Sequence, residues 1–450
     1  MQRDAVAGRM ATVETSEVVA ERSRAGWLSE GARAQIKEYA PTFLTEFAVM
    51  ASQIVAYKLA AYFLGKQGFS EYALARRTVT LILPVTVLGM SVGLPRYIGF
   101  SNGRGDREAA DRYFGATLWC AGGAAIVCLV LINLFPGLFS YLFFGSKSYR
   151  SLALPLSLMI VGLCEHAVAC GYFRGHLQLN RANLLQFTNL AALPIVVLFL
   201  VHKSLSIALT FFGVVWIATS SLALSFTPLR TLSEKSGTEV RQLFSYGIQR
   251  VPGDFFLMAL FTLPATIGAH LYGVERAGYV AFGLSLVAMI GGVFAPVGLV
   301  LLPKATTMLA EGAYGNLRAH VKSILRIAVA ASLTIVVFAW TALPSAIHIY
   351  LGPEYEEVAP IARVLLFAAL PYCVYLVVRN LVDAYHEYGV TAAILAVGLA
   401  AFLAGTYFGR HLFADIRLLL AAFVVSMLII AGLSSWECTR ILRVRSSQSN

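Results

Sequence analysis

The sequence has little charge. Only 13% of its 450 residues are charged and 58% are hydrophobic, whereas about a quarter of the residues in a soluble domain are charged. So few charged side chains cannot cover a water-facing surface, which excludes a large soluble catalytic domain. The net charge of +11 would suggest a nucleic-acid partner in a polar protein, but the apolar content excludes that partner. The composition is typical of a polytopic membrane protein.

Motifs of catalysis and of metal binding are also missing. The sequence contains no GxxxxGK[ST] phosphate loop, no HExxH motif and no CxxC pair. The six cysteines lie in apolar segments or at the end of one, which indicates neither a disulfide framework nor a zinc site. We therefore expect a protein that is not an enzyme and that carries no cofactor or metal.

Long apolar segments are abundant instead. A segment of about 20 apolar residues crosses a bilayer as a helix, and the sequence contains twelve, none separated from the next by a loop long enough to fold. The predicted spans are 41–64, 78–100, 114–140, 151–172, 183–202, 205–227, 247–272, 278–302, 322–350, 358–384, 389–409 and 414–438.

The basic residues predict the orientation of these helices. The N-terminal tail, the even-numbered loops and the C-terminus hold 24 of the 35 Lys and Arg residues. Cytoplasmic loops carry the excess of positive charge. Both termini are therefore expected on the cytoplasmic side of the cytoplasmic (inner) membrane, in agreement with the even number of helices.

An internal repeat divides the predicted helices into halves. Glu46-Phe47-x-x-Met50 recurs after 208 residues as Asp254-Phe255-x-x-Met258. Four further short matches follow in the same order, at shifts of 208 to 205: Leu64-Gly65 with Tyr272-Gly273, Leu94-Pro95-Arg96 with Leu302-Pro303-Lys304, Phe144-Gly145 with Leu351-Gly352, and Leu154-Pro155 with Ala359-Pro360. Six helices separate the copies, so the repeats are parallel, with their axis along the membrane normal.

The expected fold class is an all-α integral membrane protein with about twelve transmembrane helices in two pseudo-symmetric six-helix lobes. The domains expected are a cytosolic tail (1–40), an N-lobe (41–229), a cytosolic linker (230–243), a C-lobe (244–438) and a cytosolic C-terminal tail (439–450).

The segment Leu64–Phe114, LGKQGFSEYALARRTVTLILPVTVLGMSVGLPRYIGFSNGRGDREAADRYF, resembles the polysaccharide-exporter (O-antigen flippase-like) family. This family belongs to the multidrug/oligosaccharidyl-lipid/polysaccharide (MOP) transporter superfamily. The second copy, from Tyr272 to Ala281 with Leu301–Lys304, is similar to the later helices of the same family. The resemblance implies a secondary transporter that flips a polyprenyl-pyrophosphate-linked oligosaccharide to the outer leaflet by alternating access, for surface polysaccharide biosynthesis. It also implies as partners membrane lipids, this anionic lipid-linked saccharide, a glycan polymerase and glycosyltransferases.

Basic residues near the predicted cavity are candidates for binding an anionic substrate. Arg96 and Lys304 occupy equivalent positions in the repeat, so they are candidates for a paired cationic gate or for ordinary positive-inside anchors. Arg250 is a third cationic candidate. Lys58, near the outer end of the first helix, either lines the outward cavity or extends to the lipid headgroups.

Glu46 and Asp254 are equivalent acids, each one to two turns inside a helix, where an ionisable group is costly and by default functional. They are candidates for binding a coupling proton or sodium ion, or a sugar hydroxyl. Alternatively, Asp254 has a structural partner, because Arg250 precedes it by four residues, the spacing of an ion pair on one helix face.

Two other functions remain open. A cation-coupled multidrug exporter of the same superfamily would require an acidic cavity, whereas an anionic lipid requires a basic one. A membrane-embedded glycosyltransferase or polysaccharide polymerase would require acids or a metal site on sizeable outer loops, and such an enzyme leaves the repeat unexplained.

Overall fold

The computed structural model describes residues 30–201, 203–225, 227, 237–294, 301, 308, 314–386, 389–409 and 415–444. The chain separates into two compact units, residues 1–48 and 49–450. Of the first unit, only the opening turns of a helix belong to the described residues. The second unit contains the remaining helices, and the cavities and the groove described below lie in it.

Every regular element in the described ranges is helical. The α-helices, numbered in chain order, are α1 (Glu30–Val87), α2 (Met90–Gly103), α3 (Arg107–Leu134), α4 (Pro136–Phe144), α5 (Ala153–Gly175), α6 (Leu179–Gln186), α7 (Leu193–Leu200), α8 (Leu205–Ser225), α9 (Gly237–Tyr272), α10 (Val274–Gly292), α11 (Tyr314–Tyr350), α12 (Val358–Leu366), α13 (Ala369–Tyr385), α14 (Val390–Gly409) and α15 (Ile416–Val444). Short 3₁₀ helices span Lys147–Leu152 and Pro353–Tyr355, and a π-helix spans Phe187–Ala192.

Eleven helical segments among the described residues are long and apolar enough to cross a membrane. The first of them, Ala40–Val87, is broken at Gly65 and is 48 residues long, enough for two crossings. Counting its two arms separately gives twelve crossings, six on either side of the linker. The predicted fold class is confirmed. We call α1–α8 the N-lobe and α9–α15 the C-lobe.

The repeat is visible in the backbone. Gly65 (φ 65°, ψ −172°) and Gly273 (φ 85°, ψ 164°) adopt nearly the same conformation, which essentially only glycine tolerates. Gly145 and Gly352, another matched pair, also have positive φ. In both lobes such a glycine lies at the turn between two consecutive membrane crossings.

The second crossing begins earlier than the sequence predicts. A loop is expected before residue 78, because residues 65–71 are rich in glycine and polar side chains. Instead the helix resumes directly after Gly65 and continues to Val87. The small residues in this stretch serve close helix packing: a Cβ placed on Gly278 would lie 2.2 Å from the Cα of Ser70. Arg76 and Arg77 therefore lie within a helix and not in the predicted loop.

The seventh crossing, α9, is a single helix from Gly237 to Tyr272. Gly247, Pro252-Gly253 and Pro264 predict a bend in this helix, and the backbone is helical at all of them. Gly247 also has a packing role, since a Cβ there would lie 2.0 Å from the backbone oxygen of Leu88. Leu88 and Gly89 both have positive φ and separate α1 from α2. The second and seventh crossings therefore touch backbone to backbone where the second is broken.

Candidate functional site

The two lobes meet along the second arm of α1 and α10. Ser70 and Gly278, which are equivalent in the repeat at the shift of 208, are in direct contact. Seven residues further along each helix, Arg77 Nη2 donates a hydrogen bond to Ser285 Oγ at 2.8 Å. These two residues are also equivalent at this shift. The helices therefore cross at the pseudo-twofold axis, and Arg77 reaches across it.

Arg77 is only 8% exposed. Its guanidinium donates to the carbonyl oxygen of Ala281 through Nε and Nη2, both at 3.4 Å, and Ser285 Oγ also bonds the Tyr57 hydroxyl at 2.8 Å. No Asp or Glu of the described residues pairs with Arg77. A buried cation is therefore held by neutral oxygen atoms and by the face of the Phe261 ring.

Arg76, the neighbouring residue, lines a cavity of about 230 Å³ inside the N-lobe. Its guanidinium lies 5.5 Å from the ring centre of Tyr57 and 5.8 Å from that of Tyr72, within cation–π range. The other polar and aromatic groups around this N-lobe cavity are Gln53, Thr80, Phe212 and Trp216. It is a basic, aromatic cavity in which the described residues provide no acid.

A polar network supports one wall of the N-lobe cavity. Asn189, in the π-helix, is fully buried. Its carbonyl oxygen accepts a hydrogen bond from Trp216 Nε1 at 2.6 Å, and its side chain bonds Thr219 of α8 and His166 of α5. The sequence leaves open whether Asn189 binds sugars or joins helices, and in the structure it joins helices. π-Helical turns recur at functional sites, and this one places Leu190 on the cavity wall.

A second, smaller cavity of about 100 Å³ lies in the C-lobe between α9, α13 and α14. It brings together Arg250 and Asp254 with Arg379 and Asp383, which the sequence analysis did not pair with them. Arg379 Nε lies 3.0 Å from Asp383 Oδ2, and Thr391 donates to Asp383 Oδ1 at 2.6 Å. Two arginines and two aspartates therefore line the C-lobe cavity.

Arg250 and Asp254 do not form the expected ion pair. No side-chain nitrogen of Arg250 lies within 4 Å of the carboxylate, and Arg250 Nε is buried without a hydrogen-bond partner among the described residues. Both residues nevertheless line the same cavity, where Arg379 also acts electrostatically on Asp254. Arg250 and Asp254 therefore face the same cavity without forming an ion pair with each other.

The remaining predicted residues are dispersed. The Arg96 guanidinium lies 4.9 Å from the ring centre of Tyr246, and Lys58 Nζ lies 5.9 Å from that of Tyr350. Glu46 is an exposed residue of α1, and Lys304 lies outside the described residues. The predicted pairing of Arg96 with Lys304 therefore stays a prediction, as do the predicted roles of Glu46 and Lys58.

Four residues of the site were not predicted from the sequence: Arg76, Arg379 and Asp383, which line the two cavities, and Arg77, which joins the lobes. The glycine and polar residues at 65–71 predict an outer loop that includes Arg76 and Arg77. A signal was available: Arg174 and Arg379 are equivalent at the shift of 205, as are Gln186 and Thr391. Arg174 Nη2 donates to Gln186 Oε1 at 2.7 Å, so each lobe forms a hydrogen-bonded group around an equivalent arginine.

Comparison with known proteins places this architecture in a family. The model of a family described as polysaccharide biosynthesis protein matches residues 37–308, more than half of the chain. The chain belongs to this family. The resemblance found in the segment Leu64–Phe114 is thereby confirmed. A search of curated proteins gives no significant match.

Several solved structures share the fold. An inward-facing multidrug resistance MATE family transporter of the MOP superfamily has a TM-score of 0.76 at 13% identity, covering 89% of this chain and 96% of its own. A eukaryotic MATE transporter has a TM-score of 0.63 at 15% identity, covering 92% of this chain and 99% of its own. These likenesses establish the fold, which with the apolar helices is that of a multi-pass membrane protein.

Proposed function

We propose that this member of the polysaccharide biosynthesis protein family flips a polyprenyl-pyrophosphate-linked oligosaccharide across the cytoplasmic membrane, for surface polysaccharide biosynthesis. The observation that carries the proposal is the adjacent pair Arg76 and Arg77. Both lie inside a membrane crossing, and neither has an acidic partner among the described residues. Charged residues within a membrane-spanning segment are costly and mark substrate pathways.

The chemistry of this substrate fits the N-lobe cavity. A pyrophosphate cannot cross hydrocarbon alone, because a buried unpaired charge costs several kcal/mol or more. Arginine binds such an anion through several parallel N–H groups. Tyr72 and Trp216 offer aromatic faces beside Arg76, and Gln53 and Thr80 offer hydrogen-bonding groups suited to sugar hydroxyls. In this proposal Arg76 contacts the pyrophosphate, while the polyprenyl chain remains in the bilayer.

Alternating access requires the lobes to separate along α1 and α10. In the structure they are joined by the Arg77–Ser285 bond and by a hydrogen bond from Ser70 Oγ to the Glu275 carbonyl oxygen at 3.0 Å. At the opposite end of the lobe interface, Arg112 of α3 pairs with Glu239 of α9 at 2.8 Å. We infer that the Arg77 contacts break when the lobes open toward the outer side. The anionic substrate then balances the positive charge of the guanidinium that has lost these contacts.

Glu46 and Asp254 remain the candidates for binding a coupling proton or sodium ion. Arg96, Arg250 and Lys304 remain candidates for collecting the anionic substrate at the cytoplasmic side, and Lys58 for lining its outward path. We further propose that both termini are cytoplasmic and that membrane lipids, a glycan polymerase and glycosyltransferases are the working partners.

A second candidate function is cation-coupled export of drugs. The observation in its favour is the presence of Asp254 and Asp383 in one cavity, together with a fold shared with multidrug resistance transporters. However, Arg250 and Arg379 line the same cavity, so a cationic drug would meet two arginines there. The described residues favour the anionic substrate in the N-lobe cavity, whereas the C-lobe cavity is charge-balanced.

The test is deletion of the gene in its host, followed by analysis of surface glycan and of polyprenyl-linked intermediates. We expect the lipid-linked oligosaccharide to accumulate inside the cell and the surface glycan to disappear. Complementation with the wild-type gene restores export, whereas Arg76→Gln does not. Unchanged surface glycan together with increased sensitivity to cationic drugs would establish the exporter instead.

A further inference from the structure

A wide groove lies on the C-lobe, away from both cavities described above. It is formed by the C-terminal part of α11, by α12 and by the start of α15, and it encloses about 850 Å³. Its apolar wall includes Ile349 and Phe367, which are 80% and 55% exposed. Both residues belong to apolar segments that cross the membrane, so this wall is accessible to lipid.

Arg363 forms the polar part of the groove, and its position follows from a proline. Pro344 of α11 has no N–H, so the carbonyl oxygen of Trp340, four residues earlier, lacks its helical donor. Arg363 Nε donates a hydrogen bond to this oxygen at 2.9 Å. The guanidinium also lies 4.3 Å from the ring centre of Trp340. The Nε group of the arginine therefore satisfies the free carbonyl oxygen, while the guanidinium lies over the indole ring.

The rest of the Arg363 guanidinium has no partner in the part of the chain that the structure describes. Its Nη groups form no hydrogen bond with described residues, and no Asp or Glu among these lies within ion-pair distance. Two acids lie near the groove, each beside another residue. Glu356 lies 3.7 Å from His348, and Asp415 lies 3.4 Å from Arg417. Arg363 is thus a cation near the end of a membrane crossing, open to the groove and without an acidic partner among the described residues.

The N-lobe shows that the fold does not require this arrangement. At the shifts of 205 and 207, the positions equivalent to Arg363 and Trp340 are Leu158 and Asn133. Asn133 donates to Ser157 and to its own helix, and neither residue is charged. The arginine and the tryptophan are therefore specific to the C-lobe.

We propose that this groove binds a glycerophospholipid, with its phosphate on the Nη groups of Arg363 and its acyl chains along Ile349 and Phe367. The charge argues for this occupant, because a phosphate supplies the missing counter-ion and accepts parallel N–H bonds from arginine. The depth agrees as well. Arg363 lies five residues after the first residue of α12, about 8 Å along the helix, which is near the headgroup level of the leaflet at that end. The proposal does not depend on the transported substrate.

The experiment is native mass spectrometry of the purified full-length protein in detergent, titrated with phosphatidylglycerol or with diacylglycerol. The wild type is expected to bind phosphatidylglycerol in preference to diacylglycerol, which lacks the phosphate. Arg363→Gln removes charge-assisted bonds and is expected to weaken the tightest phosphatidylglycerol site about tenfold. Arg276→Gln is the matched control, since Arg276 is also exposed at this end but lies near Glu357, at 3.9 Å.

A second variant tests the groove without changing Arg363. Ser345 is exposed and lines the groove, so Ser345→Trp is expected to fill it and to reduce phosphatidylglycerol binding even if Arg363→Gln is poorly folded. Equal binding of phosphatidylglycerol and diacylglycerol would overturn the proposal. Unchanged phosphatidylglycerol binding in Ser345→Trp would also overturn it, and is the result expected if a protein partner covers the groove. So would a loss of binding in Arg276→Gln equal to that in Arg363→Gln.

Discussion

The N-lobe and C-lobe cavities differ in how their arginines are balanced. The N-lobe cavity contains Arg76 and, among the described residues, no acid, whereas the C-lobe cavity contains Asp254 and Asp383 beside two arginines. The difference extends to equivalent positions: Arg174 bonds the neutral Gln186, and Arg379 bonds the charged Asp383. A shared backbone therefore supports two kinds of site, an uncompensated cation suited to an anionic substrate and a charge-balanced cluster.

The strongest test of this comparison is Arg76→Gln. Because Arg76 has no acidic partner among the described residues, removing its charge leaves no orphaned acid, and the lobes should remain folded. Loss of charge-assisted contacts with a pyrophosphate should lower export of the lipid-linked oligosaccharide at least about tenfold. Arg76→Lys should retain part of the activity. The measurement is surface glycan in the complemented deletion strain. Full export by Arg76→Gln would remove the functional distinction between the cavities.

The next effect is on stability and belongs to the C-lobe. Arg379 is about a quarter exposed, so Arg379→Gln, which leaves Asp383 without its cation, should destabilise the protein by about 2 kcal/mol, less than for a fully buried pair. The matched variant in the other lobe, Arg174→Gln, breaks a bond to a neutral side chain and should cost less than about 1 kcal/mol. Thermal unfolding in detergent measures both changes.

A double variant sharpens this second test. Arg379→Gln combined with Asp383→Asn removes both charges and should recover part of the lost stability. Equal destabilisation of the protein by Arg174→Gln and Arg379→Gln, with no recovery of stability in the double variant, would contradict this expectation. That result would show that the carboxylate of Asp383 adds nothing to the cost of losing its arginine.

A smaller effect is expected from Asp254→Asn and Glu46→Gln. If these equivalent acids bind a coupling ion, their neutral variants should lower transport several-fold when an ion gradient drives it, with normal expression and little change in stability. Transport into proteoliposomes with and without a proton or sodium gradient measures the difference. Equal dependence on the gradient in the wild type and both variants would assign the acids a structural role.

The smallest effect concerns pH. His176 and His386 follow α5 and α13, the fourth and tenth crossings; His176 bonds the amide of Asn102, whereas His386 lies 2.8 Å from Glu437. Burial lowers the pKa of His176 below its usual value of about 6.5. The unfolded chain then takes up a proton before the folded protein, so stability that is full above pH 6.5 is lost as the pH falls toward the folded-state pKa.

The wild type should therefore unfold at a lower temperature at pH 5 than at pH 7, and part of this difference should be absent in His176→Gln. Scanning calorimetry of both proteins in detergent at the two pH values measures it. The same pH dependence in the variant would show that His176 is not the group responsible.

Much of the fold was predictable because a bilayer restricts the possibilities. An apolar segment of about 20 residues has to form a helix there, since no water satisfies its backbone, and the matches at a shift of 208 revealed the two lobes. The start of the second crossing was not predictable. Gly65, Lys66, Gln67 and Ser70 have the composition of a loop, and only the close contact of Ser70 with Gly278 explains why the chain is helical there.

The candidate site was predicted less completely. Asp254 was recognised from its depth in the helix and Arg250 as a basic residue four positions before it, and the structure places both in the C-lobe cavity. Arg379 and Asp383 join them only because α13 packs beside α9, a contact between segments more than a hundred residues apart. Sequence patterns describe one helix at a time, so they do not report which faces of two helices meet.

The sequence by itself determined the class of protein, the number of crossings, the repeat and the excess of basic residues that predicts the orientation, because these depend on composition and on the solvent requirements of single helices. Only the tertiary structure decided which charges share a cavity. Arg379 has Asp383 four residues away on its own helix, but Arg250 and Asp254 join this pair only because another helix lies within a few ångströms of it.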